Sequence, residues 1–378
     1  MESMESATFL VVESVHGERT HSFLKSKDWL QASLEPLRTS NGSIGFPLVG
    51  FDHEDIALVA IRNHLGIEAS IVVGETKYRP PVDPHHRLLD AVSTWLENNK
   101  VDAEVNDLLP AKWEKLGELV LLPRELGQTK TWQKVAQHPM TETLWKGMAE
   151  ALKVTSIGLQ AHIASDTFRS AQVKMLTGSP EVRFSDHGVV FAFDASKVMF
   201  SSGNITERRR IGTINMQGEV VVDAYAGVGY YTFHMLVNAG AAHVHACEIN
   251  PASLAGLKAG AQANGLLDRL TVHPGDNALT LEKLRGTADR CHLGLLPSSE
   301  AVWEACMLAL KPTGGVLHIH MNVEEEKIDS WTMTTVERFQ NMVTNHGLFF
   351  NVKPMHVERV KWFAPRVRHV VLDLSFRP

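Results

Sequence analysis

Along the chain, apolar residues follow two different patterns, and the change between them falls near Gly218. After Gly218, short apolar runs typical of buried strands alternate with longer stretches in which apolar residues recur at helical spacing. Strands that alternate with helices in this way indicate βαβ units and a mainly parallel, Rossmann-like sheet. The pattern predicts strands over residues 220–222, 243–247, 270–273, 291–295 and 316–320, and helices over 230–239, 251–263 and 299–310.

Two further apolar runs end the chain, at residues 349–357 and 367–374. The linker between them is too short for a crossover helix, which parallel strands would need. We therefore expect the two runs to form an antiparallel pair at the end of the parallel sheet. The result is a C-terminal α/β domain over residues 218–378.

The part of the chain before Gly218 is typical of two smaller α+β domains. Three prolines within Tyr78–Pro84 block both helix and central strand, so we expect this segment to connect a domain over residues 1–77 to one over residues 85–217. In the first domain the pattern predicts an extended segment at 9–12, helices at 25–37 and 55–65, and a turn at Asn41–Gly42. In the middle domain it predicts helices at 88–98 and 141–152, a strand at 119–122, and a hairpin over 184–194 that turns at Asp186–Gly188.

The distribution of charge is uneven along the chain. The 378 residues carry a formal net charge of −6, which disfavours indiscriminate binding to polyanions. Basic residues nevertheless outnumber acidic ones by three in residues 151–215 and by four from residue 351 onward. Such patches suit contacts with RNA phosphates, although a solvated surface has the same composition. The middle domain is therefore a candidate for contact with a nucleic acid.

Cysteine content and hydropathy indicate the compartment. Cys247, Cys291 and Cys306 form no Cys-x-x-Cys pair, which argues against a disulfide framework and a cysteine-built zinc site. No apolar stretch approaches the roughly 18 to 20 residues of a membrane span, and the N-terminus lacks the basic and apolar segments of a signal peptide. We expect a cytoplasmic protein without a membrane or metal partner.

The most specific local pattern is a strand, an acid and a pair of glycines between residues 220 and 231. Asp223 ends the strand, and Gly227 and Gly229 precede a helix. Glycines let the backbone approach a ligand closely, and the helix N-terminus offers unpaired N–H groups, so a nucleotide-like ligand is expected. The third small residue of the dinucleotide fingerprint is missing, because a threonine stands at its position.

Polar residues at the ends of the next two strands fit S-adenosylmethionine. Glu248 ends the second strand, where a carboxylate accepts hydrogen bonds from the ribose hydroxyls, while Asp223 would lie near the amino-acid moiety. Asp276 and Asn277 follow the third strand and suit the amino group and a ring nitrogen of adenine. The tips of neighbouring parallel strands converge on one crevice, so we expect these side chains to share one site.

Six motifs occur in order in the C-terminal half: Met199–Arg209, Asp223–Tyr230, Ala246–Pro251, Gly275–Asn277, Leu295–Glu300 and Gly314–Val323. Together they resemble the family of tRNA wybutosine-synthesizing protein 2. The resemblance implies a class I methyltransferase fold, related to that of the tRNA guanine-N1 methyltransferases. It also implies transfer of a 3-amino-3-carboxypropyl group from S-adenosylmethionine to 4-demethylwyosine, next to the anticodon of phenylalanine tRNA.

Carried over residue by residue, the resemblance implies cofactor contacts from Ser201, Arg208, Glu248, Asp276 and Asn277. Arg208 stands where related sequences have lysine, and it keeps the positive charge in a planar fork. Ser202 stands where an aromatic residue is usual. Read directly, the segment 200–210 supplies three arginines, of which one suits the carboxylate of the cofactor and others suit phosphate.

Two other interpretations stay open from the sequence: tRNA guanine-N1 methylation on the same fold, and RNA binding with a vestigial cofactor site. The fourth strand is followed by Pro297-Ser298-Ser299-Glu300 and lacks the Asn- or Asp-Pro-Pro-aromatic sequence common in enzymes that methylate exocyclic amines. The intact glycines and acids argue against a vestigial site. The sequence identifies no general base, and His318 and His320 are more typical of packed or exposed strand histidines than of catalytic or metal-bound ones. We expect a monomer, since tRNA is large enough to engage several domains of one chain.

Overall fold

A computed structural model describes residues 4–39, 42–49, 54–78, 83–161, 172–200 and 202–378. The chain divides into two compact units, Met1–Arg87 and Leu88–Pro378. Residues 79–82 of the expected connector and Asn41 of the expected turn lie outside the described residues. Within the described ranges, no helix combines the length and the apolar composition needed to cross a membrane.

The described residues of the first unit form a four-stranded antiparallel sheet and two helices, apart from the start of a helix that continues into the second unit. Its elements are β1 (Met4–Glu13), α1 (Gly17–Ser26), β2 (Leu37–Arg38), β3 (Ser43–Pro47), α2 (Glu54–Leu65) and β4 (Ser70–Lys77). The strands pair in the order β2-β3-β1-β4, and Leu10, Leu24, Phe46 and Ile61 belong to the apolar core. The helix predicted over residues 55–65 is confirmed as α2.

The helix predicted over residues 25–37 is wrong. Helix α1 ends at Ser26, and Asp28 then adopts a left-handed φ of 56°, which a right-handed helix cannot accommodate. Leu30 and Leu34 instead form isolated bridges to other extended segments. The apolar spacing that suggested a helix therefore belongs to an extended segment beside the sheet.

The second unit begins with a mixed four-stranded sheet and a hairpin. After α3 (Pro84–Asn98), which crosses the boundary between the units, the elements are β5 (Glu114–Leu116), β6 (Leu119–Leu122), α4 (Lys130–Ala136), α5 (Thr141–Ala151), β7 (Ser156–Gln160), β8 (Val173–Thr177), β9 (Glu181–Asp186) and β10 (Val189–Asp194). Strands β5 to β8 pair in chain order, and β9 pairs with β10. The predicted hairpin is confirmed: His187 and Gly188 have φ of 51° and 78°, and two-residue hairpin loops of the type I′ kind require this left-handed pair.

A seven-stranded sheet forms the rest of the second unit. In chain order the elements are α6 (Ile205–Thr213), β11 (Val220–Asp223), α7 (Thr232–Val237), β12 (His243–Glu248), α8 (Pro251–Ala263), β13 (Leu270–Pro274), α9 (Asn277–Lys283), β14 (Arg290–Leu293), α10 (Trp303–Ala309), β15 (Gly315–Glu324), α11 (Ile328–Asn345), β16 (Asn351–Ala364) and β17 (Val367–Arg377). The strand order is β13-β12-β11-β14-β15-β17-β16, with β11 to β15 parallel and β17 antiparallel to both neighbours. The Rossmann-like sheet with an antiparallel end pair is confirmed.

Apolar clusters stabilise this sheet. One contains Trp303, Leu317, Phe339 and Phe376 together with α10 and α11. Another contains Val221, Phe233 and Leu257, and it also includes Phe191 and Phe193 of the hairpin. The hairpin, although it precedes residue 218, thus packs into the same core as β11 and α8 and reaches the side of the sheet where the site lies.

Candidate cofactor-binding site

A cavity of about 700 Å³ opens where β11, β12, β13 and β14 end. The strand order reverses direction between β11 and β14, and loops that leave such a point in opposite directions create a crevice at the carboxyl ends of the strands. Its walls also include parts of segment 198–208 and two side chains of β16, Lys361 and Phe363. The cavity therefore combines the strand tips with elements that are distant in sequence.

The structure brings most of the predicted site residues to this cavity. Arg208, Gly227, Glu248, Asp276 and Asn277 line it. Asp223 and Gly229 are not part of the lining, and Ser201 lies outside the described residues. The structure describes the backbone of Ser202 but not its side chain, so its departure from the family pattern stays a sequence observation.

Both glycines of the turn after β11 occupy positions where a side chain would clash. Gly227 and Gly229 have φ of 57° and 96°. A Cβ on Gly227 would lie 2.2 Å from the ring of Tyr230, and one on Gly229 would lie 2.4 Å from the ring of Phe233. The two glycines thus allow aromatic rings to pack directly against the backbone of the turn.

Glu248 is held rigidly at the tip of β12. Its carboxylate accepts hydrogen bonds from the backbone N–H groups of Gly227 at 2.7 Å, Ile249 at 2.9 Å and Asn250 at 2.7 Å. Burial raises the pKa of Glu248, while the three N–H donors act in the opposite direction. A carboxylate has about four lone-pair sites, so acceptor capacity is left toward the cavity.

Asp276 and Asn277 are fixed at the tip of β13 by their roles in local structure. The Asp276 carboxylate caps α9 by accepting from the N–H of Ala278 at 2.9 Å. The Asn277 amide donates to the carbonyl of Ala224 at 2.9 Å, which joins the tip of β13 to the turn after β11. Both side chains therefore reach the cavity from anchored positions.

Asp223 supports the turn from inside the protein. It is fully buried, and its carboxylate accepts a hydrogen bond from the Thr232 hydroxyl at 2.7 Å and another from the N–H of Tyr225 at 3.3 Å. These bonds connect the end of β11 to the start of α7. The structure thus gives Asp223 a position behind the cavity wall.

Two of the three arginines predicted near the cofactor, Arg208 and Arg210, have different acidic partners. Arg208 is 2% exposed and pairs with Asp186 of the hairpin at 2.8 Å, and its guanidinium lies 4.7 Å from the ring centroid of Phe200. Arg210 pairs with Glu207 at 2.8 Å and with Asp373 at 2.7 Å. Only Arg208 of the three lines the cavity.

The sequence did not single out Lys361 and Phe363, which belong to the cavity wall. They lie more than a hundred residues after the glycine turn, on the edge strand β16, and the folded sheet brings them back to it. The one signal in the sequence was the excess of basic residues after position 351.

The histidines considered as catalytic candidates are internal. His318 contacts Asp373 at 2.6 Å and Arg290 at 2.9 Å, and burial lowers its pKa to about 4. His320 lies between His292 and His369, with 3.0 Å between ring nitrogens on each side. Of the two arrangements expected for strand histidines, packed or exposed, the structure shows the packed one.

Comparison with known proteins matches two segments of the second unit to protein-family domains. Residues 183–348 match the TRM5/TYW2 methyltransferase domain, and residues 92–181 match the TYW2 N-terminal domain. The tRNA wybutosine-synthesizing protein 2 homolog of Danio rerio is 32% identical over 99% of this chain and 100% of its own length. The tRNA wybutosine-synthesizing protein 2/3/4 of Arabidopsis thaliana is 34% identical over 87% of this chain, which spans about a third (33%) of that longer protein.

Two similar solved structures contain nucleoside ligands. TYW2 of M. jannaschii in complex with AdoMet is 26% identical, with a TM-score of 0.53 over 70% of this chain and 99% of that one. TYW2 of P. horikoshii in complex with MeSAdo is 25% identical, with a TM-score of 0.60 over 76% of this chain and 99% of that one.

Fold, site and matches together define the class of the protein as one with a Rossmann-like domain of the TRM5/TYW2 methyltransferase kind. The match extends over the full length of a relative that is more than 30% identical. The chain belongs to the tRNA wybutosine-synthesizing protein 2 family.

Proposed function

We propose that the protein transfers the 3-amino-3-carboxypropyl group of S-adenosylmethionine to 4-demethylwyosine, beside the anticodon of phenylalanine tRNA. The observation that carries this proposal is one cavity, lined by Arg208, Gly227, Glu248, Asp276 and Asn277, in a chain of this family. The likeness to a TYW2 structure that holds MeSAdo supports the transferred group, because methylthioadenosine is what the donor leaves behind when it loses its aminocarboxypropyl arm.

Each end of the donor has a suitable set of residues in the cavity. Glu248 would accept from the ribose, and Asp276 and Asn277 would contact the adenine. Arg208 supplies positive charge near the carboxylate of the methionine moiety, in an ion pair with Asp186. Asp223 acts as a positioning residue that holds the glycine turn, and Ser201 stays a proposed contact from the family pattern.

The composition of the cavity at the tip of β14 supports transfer to carbon over methylation of a base amine. Gly294, Leu295 and Leu296 line the cavity there. None of these side chains offers the carboxylate or amide oxygen that would accept a hydrogen bond from an exocyclic amine. Guanine-N1 methylation on the same fold is the second candidate, and its support is the TRM5/TYW2 domain match, which covers both activities by name.

The chemistry proposed for this site is a single displacement at carbon. A carbon of the acceptor base attacks the methylene carbon next to the sulfonium, a carbon–carbon bond forms, and the carbon–sulfur bond breaks to release methylthioadenosine. The base carbon that made the attack then loses its own proton, which restores the aromatic base. Orientation decides which of the three carbons on sulfur reacts, so the protein contributes mainly by placing the arm toward the acceptor.

The exposed side of β16 supports RNA as the acceptor-bearing partner. Lys353, Arg359 and Arg366 are exposed on or beside this edge strand, which also carries the cavity residue Phe363. Cations on a surface beside the cavity would neutralise phosphates. We propose that one copy of the chain engages one tRNA, and that the reaction takes place in the cytoplasm, where the buried thiols Cys247, Cys291 and Cys306 stay reduced.

Analysis of the nucleoside product tests the proposed function. The full-length protein is incubated with S-adenosylmethionine and phenylalanine tRNA that carries 4-demethylwyosine, and the small-molecule products are separated by chromatography. The proposal requires release of methylthioadenosine that depends on the tRNA. Release of S-adenosylhomocysteine in its place would support the methyltransferase alternative.

A further inference from the structure

Lys361 is a cationic side chain of the cavity wall without a partner among the described residues. It is half-buried on β16, and no described carboxylate lies within ion-pair distance of its ammonium. Its Nζ lies close to Gly203, where a Cβ would come within 2.7 Å of it. The ammonium therefore lies against the segment that leads into α6, on the cavity side of the edge strand.

The neighbouring cations already have acidic partners. Arg208 pairs with Asp186, and Arg210 pairs with Glu207 and Asp373. Lys361 has no such partner in the part of the chain that the structure describes, and burial together with the charge of Arg208 lowers its pKa. A partly buried ammonium in this position gains from an anion that enters the cavity.

The cavity has opposite charges toward its two sides. Glu248 and Asp276 lie at the tips of β12 and β13, on one side of the boundary between β11 and β14 in the strand order. Lys361 lies on β16, beyond the other side of that boundary. S-adenosylmethionine has a matching asymmetry, since hydroxyl and amino donors lie at its nucleoside end and a carboxylate lies at the end of its amino-acid arm.

We propose that Lys361 binds the α-carboxylate of the aminocarboxypropyl arm and thereby holds that arm for transfer. The inference rests on the proposed function and identifies a positioning residue that the family pattern quoted above does not include. Lys361 is favoured for a carboxylate of the donor over an RNA phosphate because it is half-buried and lines the cavity, whereas Lys353 and Arg359 of the same strand are exposed.

Three related ligands distinguish binding of the donor carboxylate by Lys361 from a contact with the rest of the donor. S-adenosylmethionine carries the arm with its carboxylate, decarboxylated S-adenosylmethionine carries the arm without it, and methylthioadenosine lacks the arm. Binding of each ligand to the wild-type chain and to Lys361→Gln is measured by calorimetry. We expect the substitution to weaken the binding of S-adenosylmethionine by about tenfold or more, which corresponds to the loss of one charge-assisted bond. The affinities for the other two ligands should stay unchanged.

Matched variants complete the test. Lys353→Gln removes an exposed lysine from the same strand and should leave all three affinities unchanged, whereas Lys361→Arg should retain most of the affinity for S-adenosylmethionine. Unchanged binding of methylthioadenosine also shows that Lys361→Gln is folded. Equal losses for S-adenosylmethionine and its decarboxylated form would overturn the proposal, as would an unchanged affinity for S-adenosylmethionine. The test measures binding alone, so its outcome is independent of which group the enzyme transfers.

Discussion

Glu248 illustrates how single residues prepare this site before a ligand arrives. Three backbone N–H groups fix its carboxylate, one of them from Gly227 in the glycine turn. A carboxylate that is already oriented loses little conformational freedom on binding. At the residue scale, the proposed binding of the donor would therefore depend on groups whose positions the fold determines.

Glu248→Gln tests this dependence with little change in volume. Glutamine replaces one acceptor oxygen with a donor group, so it loses a charge-assisted bond to the ribose and faces a backbone N–H. We expect the affinity for S-adenosylmethionine, measured by calorimetry, to fall by about tenfold or more. Glu282→Gln, on α9 and exposed, is the matched control and should bind normally. Equal affinity in both variants would remove Glu248 from the site.

The buried histidines of β15 and β17 make stability depend on pH. Burial lowers the pKa of His318 and His369 to about 4, and lowers that of His320 well below its usual range. Between pH 6.5 and 4 the unfolded chain therefore binds more protons than the folded one, and stability decreases as the pH falls. Each such histidine contributes about 1.4 kcal/mol per pH unit in this window.

Urea unfolding at pH 7 and pH 5 measures this effect. The free energy of unfolding should be several kcal/mol lower at pH 5. Replacing His320 with glutamine should reduce the difference between the two pH values, because one buried imidazole no longer resists protonation. Equal stability at both pH values would contradict the buried, neutral state of these rings.

At the scale of elements, the turn between β11 and α7 determines the shape of the cavity. Gly227 combines a left-handed φ with direct contact between its backbone and the ring of Tyr230, whereas Gly218 has a φ of 79° and open space around it. The two positions therefore share the conformational requirement and differ in the steric one.

Alanine substitutions at Gly218 and Gly227 distinguish the effect of backbone strain from that of a steric clash. Gly218→Ala should lower the free energy of unfolding by about 1 to 2 kcal/mol, because alanine is strained in a left-handed conformation, and it should leave donor binding intact. Gly227→Ala should destabilise the protein further and remove measurable binding of S-adenosylmethionine, because Tyr230 must move. Thermal unfolding and calorimetry check the two effects. Similar behaviour of both variants would show that the turn is not sterically constrained.

The predictions from sequence succeeded where local signals determine an element. Helix α8 begins at Pro251 after the capping residue Asn250, which accepts from the N–H of Ala252, and its predicted bounds are confirmed. Helix α11 was missed, because its buried stripe includes Thr332 and Thr335 and so has a weaker apolar periodicity. Local composition therefore reveals caps and strands more readily than a helix with a partly polar buried face.

At the scale of the whole molecule, the cavity depends on contacts that no local pattern contains. Asp186 of the hairpin pairs with Arg208, and β16 returns Lys361 and Phe363 to the cavity from the far end of the chain. The strand tips with Glu248, Asp276 and Asn277 could be predicted from sequence, because parallel strands converge at one edge. The part of the cavity wall that β16 contributes could be identified only from the three-dimensional structure.

Phe363 provides a test at this scale. Its ring is 56% exposed at the cavity wall, where an acceptor base would stack on it. Phe363→Ala should raise the KM for tRNA about tenfold and leave the affinity for S-adenosylmethionine unchanged, since base–aromatic stacking is worth about 1 to 3 kcal/mol. Phe349→Ala removes a ring that is 89% exposed and outside the cavity lining, and it should have no effect. The same KM in both variants would argue against stacking at Phe363.

Position-specific labelling of the donor tests the central claim, that the cavity delivers the long arm of S-adenosylmethionine to a tRNA base. The full-length protein is incubated with phenylalanine tRNA carrying 4-demethylwyosine and with donor labelled either in the methyl carbon or in the carboxyl carbon. The account predicts that only the carboxyl label enters the tRNA. Transfer of the methyl label, with the carboxyl label left in solution, would contradict it.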